Sequence, residues 1–177
     1  MIGVLVSGEG TNLQALIDAG LPIAAVASSR PAVRALGRAR AATIDCAAFS
    51  LSAFESREER DRAMADWLEQ RAVRLVVCAG FMELLTPSFL ERFPERIVNV
   101  HPSLLPEFPG PRPIEDAVAA RVETTGVTVH LVDHGVDSGP VLRQEVVPVE
   151  PRDTLVERIH GVEHRLLPEV VRELCAR

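Results

Sequence analysis

A chain of 177 residues, 47% hydrophobic and with a formal net charge of -6, has enough apolar material for one domain with a real core and lacks the basic footprint of a nucleic-acid binder. All nineteen basic residues are Arg, and the absence of Lys and Tyr excludes a Walker P-loop, a Schiff-base or pyridoxal enzyme and a dehydrogenase built on a Tyr/Lys pair. No run approaches the ~18 uninterrupted apolar residues of a membrane span, and no basic leader precedes the first apolar run, so a cytoplasmic location is expected.

Apolar runs and helical patterns alternate along the whole chain, the signature of a parallel α/β sheet. Strands are predicted at 2–6, 23–27, 75–79, 97–100, 128–132 and 141–147, with a weaker one around Ile44. The first four are almost continuously hydrophobic, as strands covered on both faces should be. The run Val127-Thr-Val-His-Leu-Val132 alternates instead, which predicts a half-exposed or antiparallel strand. Helices are predicted at 12–19 and 32–42, and from a capping box at Ser56-Arg-Glu-Glu59 to about residue 71. Thr86-Pro87 reads as an N-cap with Pro at the first helical position. In the last helix Leu155, Ile159, Val162, Leu166, Val170 and Leu174 form one stripe, with Asp153 as the expected cap and Pro168 as the expected site of a kink. The fold class is α/β: a Rossmann-like, mostly parallel twisted sheet flanked by helices, with an antiparallel edge toward the C-terminal half.

Val4-Leu-Val-Ser7-Gly8-Glu9-Gly10-Thr11-Asn12-Leu13 is a strand, a glycine turn and a helix start. Such a turn aims free backbone N–H groups and the positive helix end at one point, a seat for phosphate. A dinucleotide fingerprint would need a third Gly where Leu13 stands, and an acid after the second strand where the chain reads Ser28-Ser29-Arg30. A mononucleotide-type phosphate site is the better reading, and a ligand-free βα turn is the alternative. Glu9 must point away, since an inward carboxylate would repel phosphate.

Asn99-Val-His-Pro-Ser-Leu-Leu-Pro106 carries the chemistry. Asn99 and His101, at i and i+2 of a strand, share a face roughly 6–7 Å apart. An amide donor and an imidazole where a strand enters a proline-bounded loop suit an oxyanion. His134-Gly-Val-Asp137-Ser-Gly-Pro140 adds a carboxylate from a turn-rich loop, and Asn, His and Asp together can stabilise a tetrahedral intermediate and move its protons. The alternative is a strand-end His, a capping Asn and a turn Asp. His160-Gly-Val-Glu163-His164 matches the H-x-x-E-H pattern of a class of zinc peptidases, but no third ligand follows and Gly161 weakens the helix. No metal is expected. His130 and His134 are read as a strand residue and a loop residue rather than a metal pair. Cys46, Cys78 and Cys175 are an odd, widely spaced set that indicates no disulfide framework.

Taken together, Ser7-Gly-Glu-Gly-Thr-Asn-Leu-Gln14, Ala79-Gly-Phe-Met82, Asn99-Val-His-Pro-Ser-Leu-Leu-Pro106, Phe108-Pro-Gly110 and Asp137-Ser-Gly-Pro140 resemble the phosphoribosylglycinamide formyltransferase family, in order and over essentially the whole chain. These are the folate-dependent glycinamide ribonucleotide transformylases of purine synthesis. The resemblance implies that the primary amine of the ribonucleotide attacks the formyl carbon of 10-formyltetrahydrofolate, the co-substrate. Asn99 and a protonated His101 would stabilise the oxyanion, while Asp137 would favour the charged His101 and assist proton transfer through water. Gly10, Thr11, Asn12 and Leu13 would seat the phosphate. Glu163 would receive the substrate's amino end, with His160 among the acceptor residues. Met82, Glu83, Leu84, Leu85, Asn99 and the loop Asp133, His134, Gly135, Val136, Asp137 would border the folate, with Arg57 near its glutamate tail. Residues 1–100 would form a phosphate-binding half and 101–177 a folate- and catalysis-bearing half of a single domain. The implied partners are small molecules, not nucleic acid or membrane, and the implied state is a monomer or homodimer.

Two departures stand out. After Pro109-Gly110 the family places a His where this chain reads Pro111-Arg112-Pro113-Ile114, which resembles the methionyl-tRNA formyltransferases; those enzymes are expected to carry a further domain and a basic face. Glu83 stands where a basic residue often borders the folate. Alternatives are another formyltetrahydrofolate-using transferase or hydrolase of the superfamily, an inactive folate- or nucleotide-binding domain, and the zinc peptidase. Retention of Asn99, His101 and Asp137 together argues against the inactive domain.

Overall fold

The computed structural model describes residues 1–176. Its strands are β1 (Ile2–Val6), β2 (Ile23–Ser28), β3 (Asp45–Ala48), β4 (Leu75–Cys78), β5 (Ile97–His101), β6 (Thr124–Leu131) and β7 (Val141–Pro148). Its helices are α1 (Thr11–Asp18), α2 (Arg34–Ala41), α3 (Arg57–Glu69), α4 (Pro87–Leu90), α5 (Pro113–Ala120) and α6 (Leu155–Cys175). The strands form one sheet in the order β3-β2-β1-β4-β5-β6-β7. Pairing is parallel from β3 through β5 and antiparallel from β5 to β7.

Alternation along each central strand divides the core into two layers. Val4, Val6, Val77, Val98 and Val129 pack under α1, α2 and α6, whereas Leu5, Val76, Cys78 and Ile97 pack under Met64 and Leu68 of α3 and Phe89 of α4. Burial pushes the Cys78 thiol up to about 12, so it serves as a small core side chain. Chain order reverses between β1 and β4, and ligands of open α/β sheets bind in the crevice outside the carboxyl ends at such a point. Ser7 ties the loops there together. Its N–H donates to the Gly80 carbonyl, and its hydroxyl meets Ser29 at 2.8 Å and accepts from the Met82 N–H at 3.0 Å.

Three local expectations are revised, and the Thr86 cap ahead of Pro87 stands as expected. The third strand begins at Asp45, because Thr43 is left-handed (φ 56°) and the Ile44 N–H closes the end of α2 on the Ala39 carbonyl. Asp153 does not cap α6: a 3-10 turn over Arg152–Thr154 leads into the helix, Thr154 occupies the cap position, and no side chain bonds the free N–H groups. Thr86 does sit at the cap of α4, ahead of Pro87, but its hydroxyl meets Ser88 Oγ instead of a backbone N–H. Strand β6 is antiparallel as expected but is buried on both faces, because α6 covers one and Leu104 and Leu105 cover the other. The Thr128 hydroxyl meets that cover by donating to the Ser103 carbonyl and accepting from the Leu105 N–H. The Ser56 cap is present, with Glu59 N–H donating to Ser56 Oγ at 3.1 Å, and α6 runs unbroken through the buried Pro168.

Candidate active site

The alternation that buries Ile97 beneath α3 and α4 turns Asn99 and His101 to the same side of the sheet, beyond the reach of those helices. Antiparallel pairing sets His130 of β6 opposite Asn99 and Thr128 opposite His101. Asp137 arrives from the loop between β6 and β7 in a left-handed conformation (φ 50°), a geometry that short polar side chains tolerate best and that collects at functional sites. Its carboxylate joins the cluster together. Oδ2 accepts from the Gly110 N–H at 2.9 Å and lies 3.4 Å from His101 Nδ1, while Oδ1 lies 3.5 Å from Asn99 Nδ2 and 3.6 Å from His130 Nε2.

The hydrogen-bond partners fix the roles available to each ring. His101 Nε2 is 2.9 Å from the Phe108 carbonyl, which only accepts, so both ring nitrogens face acceptors and either can donate. His130 Nδ1 donates to the Leu131 carbonyl at 2.8 Å; Nε2, 3.2 Å from Asn99 Nδ2 and 3.6 Å from Asp137 Oδ1, accepts from the amide in the neutral ring and donates to the carboxylate in the charged one. Burial works against charge on Asp137. It is outweighed by the His130 and Gly110 hydrogen bonds and the charges of His101 and His130, which hold the carboxyl below its ordinary value.

Asn99, His101 and Asp137 lie in the wall of a cleft of about 640 Å³. Met82, Glu83, Leu84 and Leu85 form one side; Asp133, His134, Gly135 and Val136 form another; Arg57, at the start of α3, also lines it. Met82 and Leu84 are 70% and 55% exposed, which leaves apolar surface free inside a concave site. Asp133 closes its own loop by accepting from the Gly135 N–H and the Ser138 hydroxyl.

The glycine loop lies at the carboxyl end of β1. Gly10 takes the cap position of α1 at φ 73°, and a Cβ there would lie 2.6 Å from Ala35 Cβ, so α2 backs the loop at a distance only glycine allows. No side chain caps α1, so its first N–H groups are unclaimed by any cap. Leu13 is buried in the core and offers the loop only its backbone; Thr11 is half-buried. Glu9 points outward as expected and pairs with Arg34 at 3.0 Å. Asn12 Nδ2 donates to Glu163 Oε2 at 3.4 Å, both side chains are buried, and Asn12 Oδ1 has no partner. Burial raises the Glu163 carboxyl to about 7, the Asn12 hydrogen bond offsetting part of the rise. His160 is exposed and stacks on His164 with ring centroids 6.0 Å apart; no hydrogen bond joins it to the loop.

Residues 1–171 match the family model described as "Formyl transferase". This chain belongs to the formyl transferase family. A phosphoribosylglycinamide formyltransferase of Haemophilus influenzae is 41% identical over 97% of this chain and 85% of its own length. The crystal structure of glycinamide ribonucleotide transformylase 1 from Symbiobacterium toebii superposes with a TM-score of 0.94 at 44% identity, over 97% of this chain and 85% of that one. The corresponding enzyme of Geobacillus kaustophilus gives 0.95 at 41%, over 98% and 97%. The sheet order and its antiparallel edge are those of a formyl transferase.

Sequence reasoning brought Asn99, His101 and Asp137 together but missed His130. The available signal was Thr128 and His130 recurring on the polar side of an apolar strand, and it acquires meaning only once that strand is paired with the one bearing Asn99. The H-x-x-E-H match resolves differently. Glu163 turns to Asn12, and among the described residues no three His, Cys, Asp or Glu side chains are grouped to hold a metal ion.

Proposed function

We propose that this formyl transferase moves the formyl group of 10-formyltetrahydrofolate to the primary amine of 5-phosphoribosylglycinamide in purine biosynthesis. The observation that carries the reading is the convergence of Asn99, His101 and Asp137 in the wall of one cleft, at the same sheet end as a phosphate-type glycine loop. The apolar surfaces of Met82, Leu84, Leu85 and Val136 suit a flat heteroaromatic ring, and Arg57 offers a cation to the carboxylate tail.

The acceptor's amine nitrogen attacks the formyl carbon, and the carbonyl oxygen becomes an oxyanion. Asn99 Nδ2–H and a ring N–H of His101 donate to that oxygen, each giving up for it a long contact to Asp137, 3.5 Å for Asn99 Nδ2 and 3.4 Å for His101 Nδ1. Asp137, kept ionised by its surroundings, balances the charge on His101 and takes the amine's proton through water; that proton returns through water to N10 as the oxyanion collapses to the formamide carbonyl and the C–N10 bond breaks. The backbone N–H groups of Gly10 to Leu13 seat the acceptor's phosphate, with Thr11 and Asn12 adding side-chain donors. The resemblance assigned Glu163 to the amino end of the acceptor. Its contact with Asn12 supports the opposite end: the ribose hydroxyls lie next to the phosphate, while the amine must reach Asp137. His160 borders the acceptor only from the exposed face of α6.

The two halves, 1–100 and 101–177, work as one domain whose sites interleave, since Glu163 serves the loop of the first half and Met82 to Leu85 wall the cleft of the second. No described helix is long and apolar enough to cross a membrane. A cytoplasmic monomer or homodimer acting on small molecules, with no nucleic-acid or membrane partner and no metal, completes the reading. Product formation from glycinamide ribonucleotide and 10-formyltetrahydrofolate, followed by folate absorbance, tests it. Purified protein should turn over both substrates without added metal, and failure to formylate this acceptor would overturn the assignment.

A further inference from the structure

Glu83, an acid in the wall of a cleft assigned to an anionic co-substrate, has a partner the sequence did not reveal. Arg60 is 0% exposed, lies one turn along α3 from Arg57, and pairs through Nη1 with the Glu83 carboxylate. Its Nε donates to Asp61 Oδ1 at 2.8 Å, and Asp61, also 0% exposed, uses Oδ2 to accept from the Thr86 N–H at 2.7 Å. Two consecutive residues of one helix therefore hold positions 83 and 86 of the segment that lines the cleft. A single buried cation serves two carboxylates, and only Glu83 among the three reaches solvent, with 27% of its side chain exposed.

A guanidinium enclosed with two carboxylates is costly to bury, and its rigid fork fixes whatever it binds. Met82 and Leu84 expose most of their surface, so the segment's own packing anchors it weakly there. Ser7 holds the Met82 N–H, and the anchor of residues 83 and 86 comes from α3. We propose that Arg60 is a positioning residue for the co-substrate cleft: with Asp61 it clamps Glu83 and Thr86 and so fixes the 83–86 wall against which the formyl folate lies. The inference rests on the reading of this cleft as the folate site. In it, Glu83 is a tether whose carboxylate is engaged by Arg60, and not a repulsive group facing the folate.

The sign of one substitution separates the two roles. Glu83→Ala releases the tether, so the dissociation constant for 10-formyltetrahydrofolate, titrated directly, should rise about tenfold, the scale of a lost charge-assisted hydrogen bond. A repulsive Glu83 would give tighter binding instead, and that result would overturn the clamp. Glu83→Gln keeps a hydrogen-bond acceptor for Arg60 and should stay within about twofold of the parent protein. Arg60→Met should raise KM for formyl folate at least as much, with KM for glycinamide ribonucleotide unchanged. Equal change in both, the mark of general structural damage, would overturn the proposal. If Arg60→Met fails to fold, the Glu83 pair decides alone. A parent protein that binds no formyl folate would overturn the cleft assignment and the clamp with it, whereas a parent that binds and a Glu83→Ala protein that binds equally well would overturn the clamp alone.

Discussion

The proposed catalytic cluster and the proposed phosphate loop lie at the same end of one sheet and would work by opposite means. In the cluster, four side chains from β5, β6 and the following loop converge, with three of them within 3.6 Å of the Asp137 carboxylate. The backbone only delivers them. In the loop, the side chains matter less than the N–H groups of Gly10 to Leu13, and Leu13 is turned wholly into the core. One site is vulnerable to loss of a functional group, the other to addition of a β-carbon. A centre that stabilises a transition state should answer mutation in turnover, and a seat for a ground-state anion should answer in acceptor affinity.

The largest effects should come from the cluster. Asn99→Ala, His101→Ala and Asp137→Ala should each lower kcat by ~10²–10⁴ while the circular dichroism of the fold is retained. The losses should be strongly sub-additive in the double variants, because the groups act as a unit. A folded His101→Ala protein with nearly full turnover would break the comparison at its stronger end.

Next in size is Gly10→Val, which must place a branched side chain at φ 73° and against Ala35. It should raise KM for the ribonucleotide by at least about tenfold and lower thermal stability, with formyl-folate affinity little changed. Inorganic phosphate should compete with the ribonucleotide and leave folate binding untouched. Competition against folate would merge two sites that this account keeps apart.

Glu163→Gln should weaken the acceptor more modestly, and its clearest readout is pH. Glu163 titrates at about 7 in the folded chain against an ordinary 4.5, so between these values the folded state holds a proton that the unfolded state has released. The parent protein should therefore lose stability as pH rises from about 5 to 8, and Glu163→Gln should lose less of it. Melting temperatures at the two pH values check this, and parallel pH slopes would contradict the buried, proton-holding Glu163. Smallest of all, Glu9→Ser removes an exposed pair with Arg34 and should change acceptor KM by less than about threefold.

Much of this was legible in the chain because it is local. Continuous apolar runs gave the parallel strands, Gly8 and Gly10 between a strand and a helix gave the loop, and an i, i+2 spacing put Asn99 beside His101. Asp137 joined them through its motif. What escaped depends on contacts far apart in sequence. His130 acquires its role from antiparallel register with Asn99, and the burial of β6 comes from α6 and from Leu104 and Leu105. Arg60 lies in the charged run Arg57-Glu-Glu-Arg-Asp-Arg62 of the helix opened by the Ser56 cap, and its pairing with Glu83, 23 residues on, is marked by no local pattern. The contact of Glu163 with Asn12, 151 residues apart, was not legible either, and the proposal for which end of the acceptor it meets rests on that contact.

The separation of an anion-seating loop from a formyl-transferring cluster is tested most directly by comparing kcat/KM for glycinamide ribonucleotide with that for its dephosphorylated riboside, both with saturating 10-formyltetrahydrofolate. The ribonucleotide should be formylated, and the riboside should react at least about a hundredfold less efficiently, having lost the charge-assisted hydrogen bonds of the loop. Equal efficiency would contradict the phosphate seat, and formylation of neither would contradict the function itself.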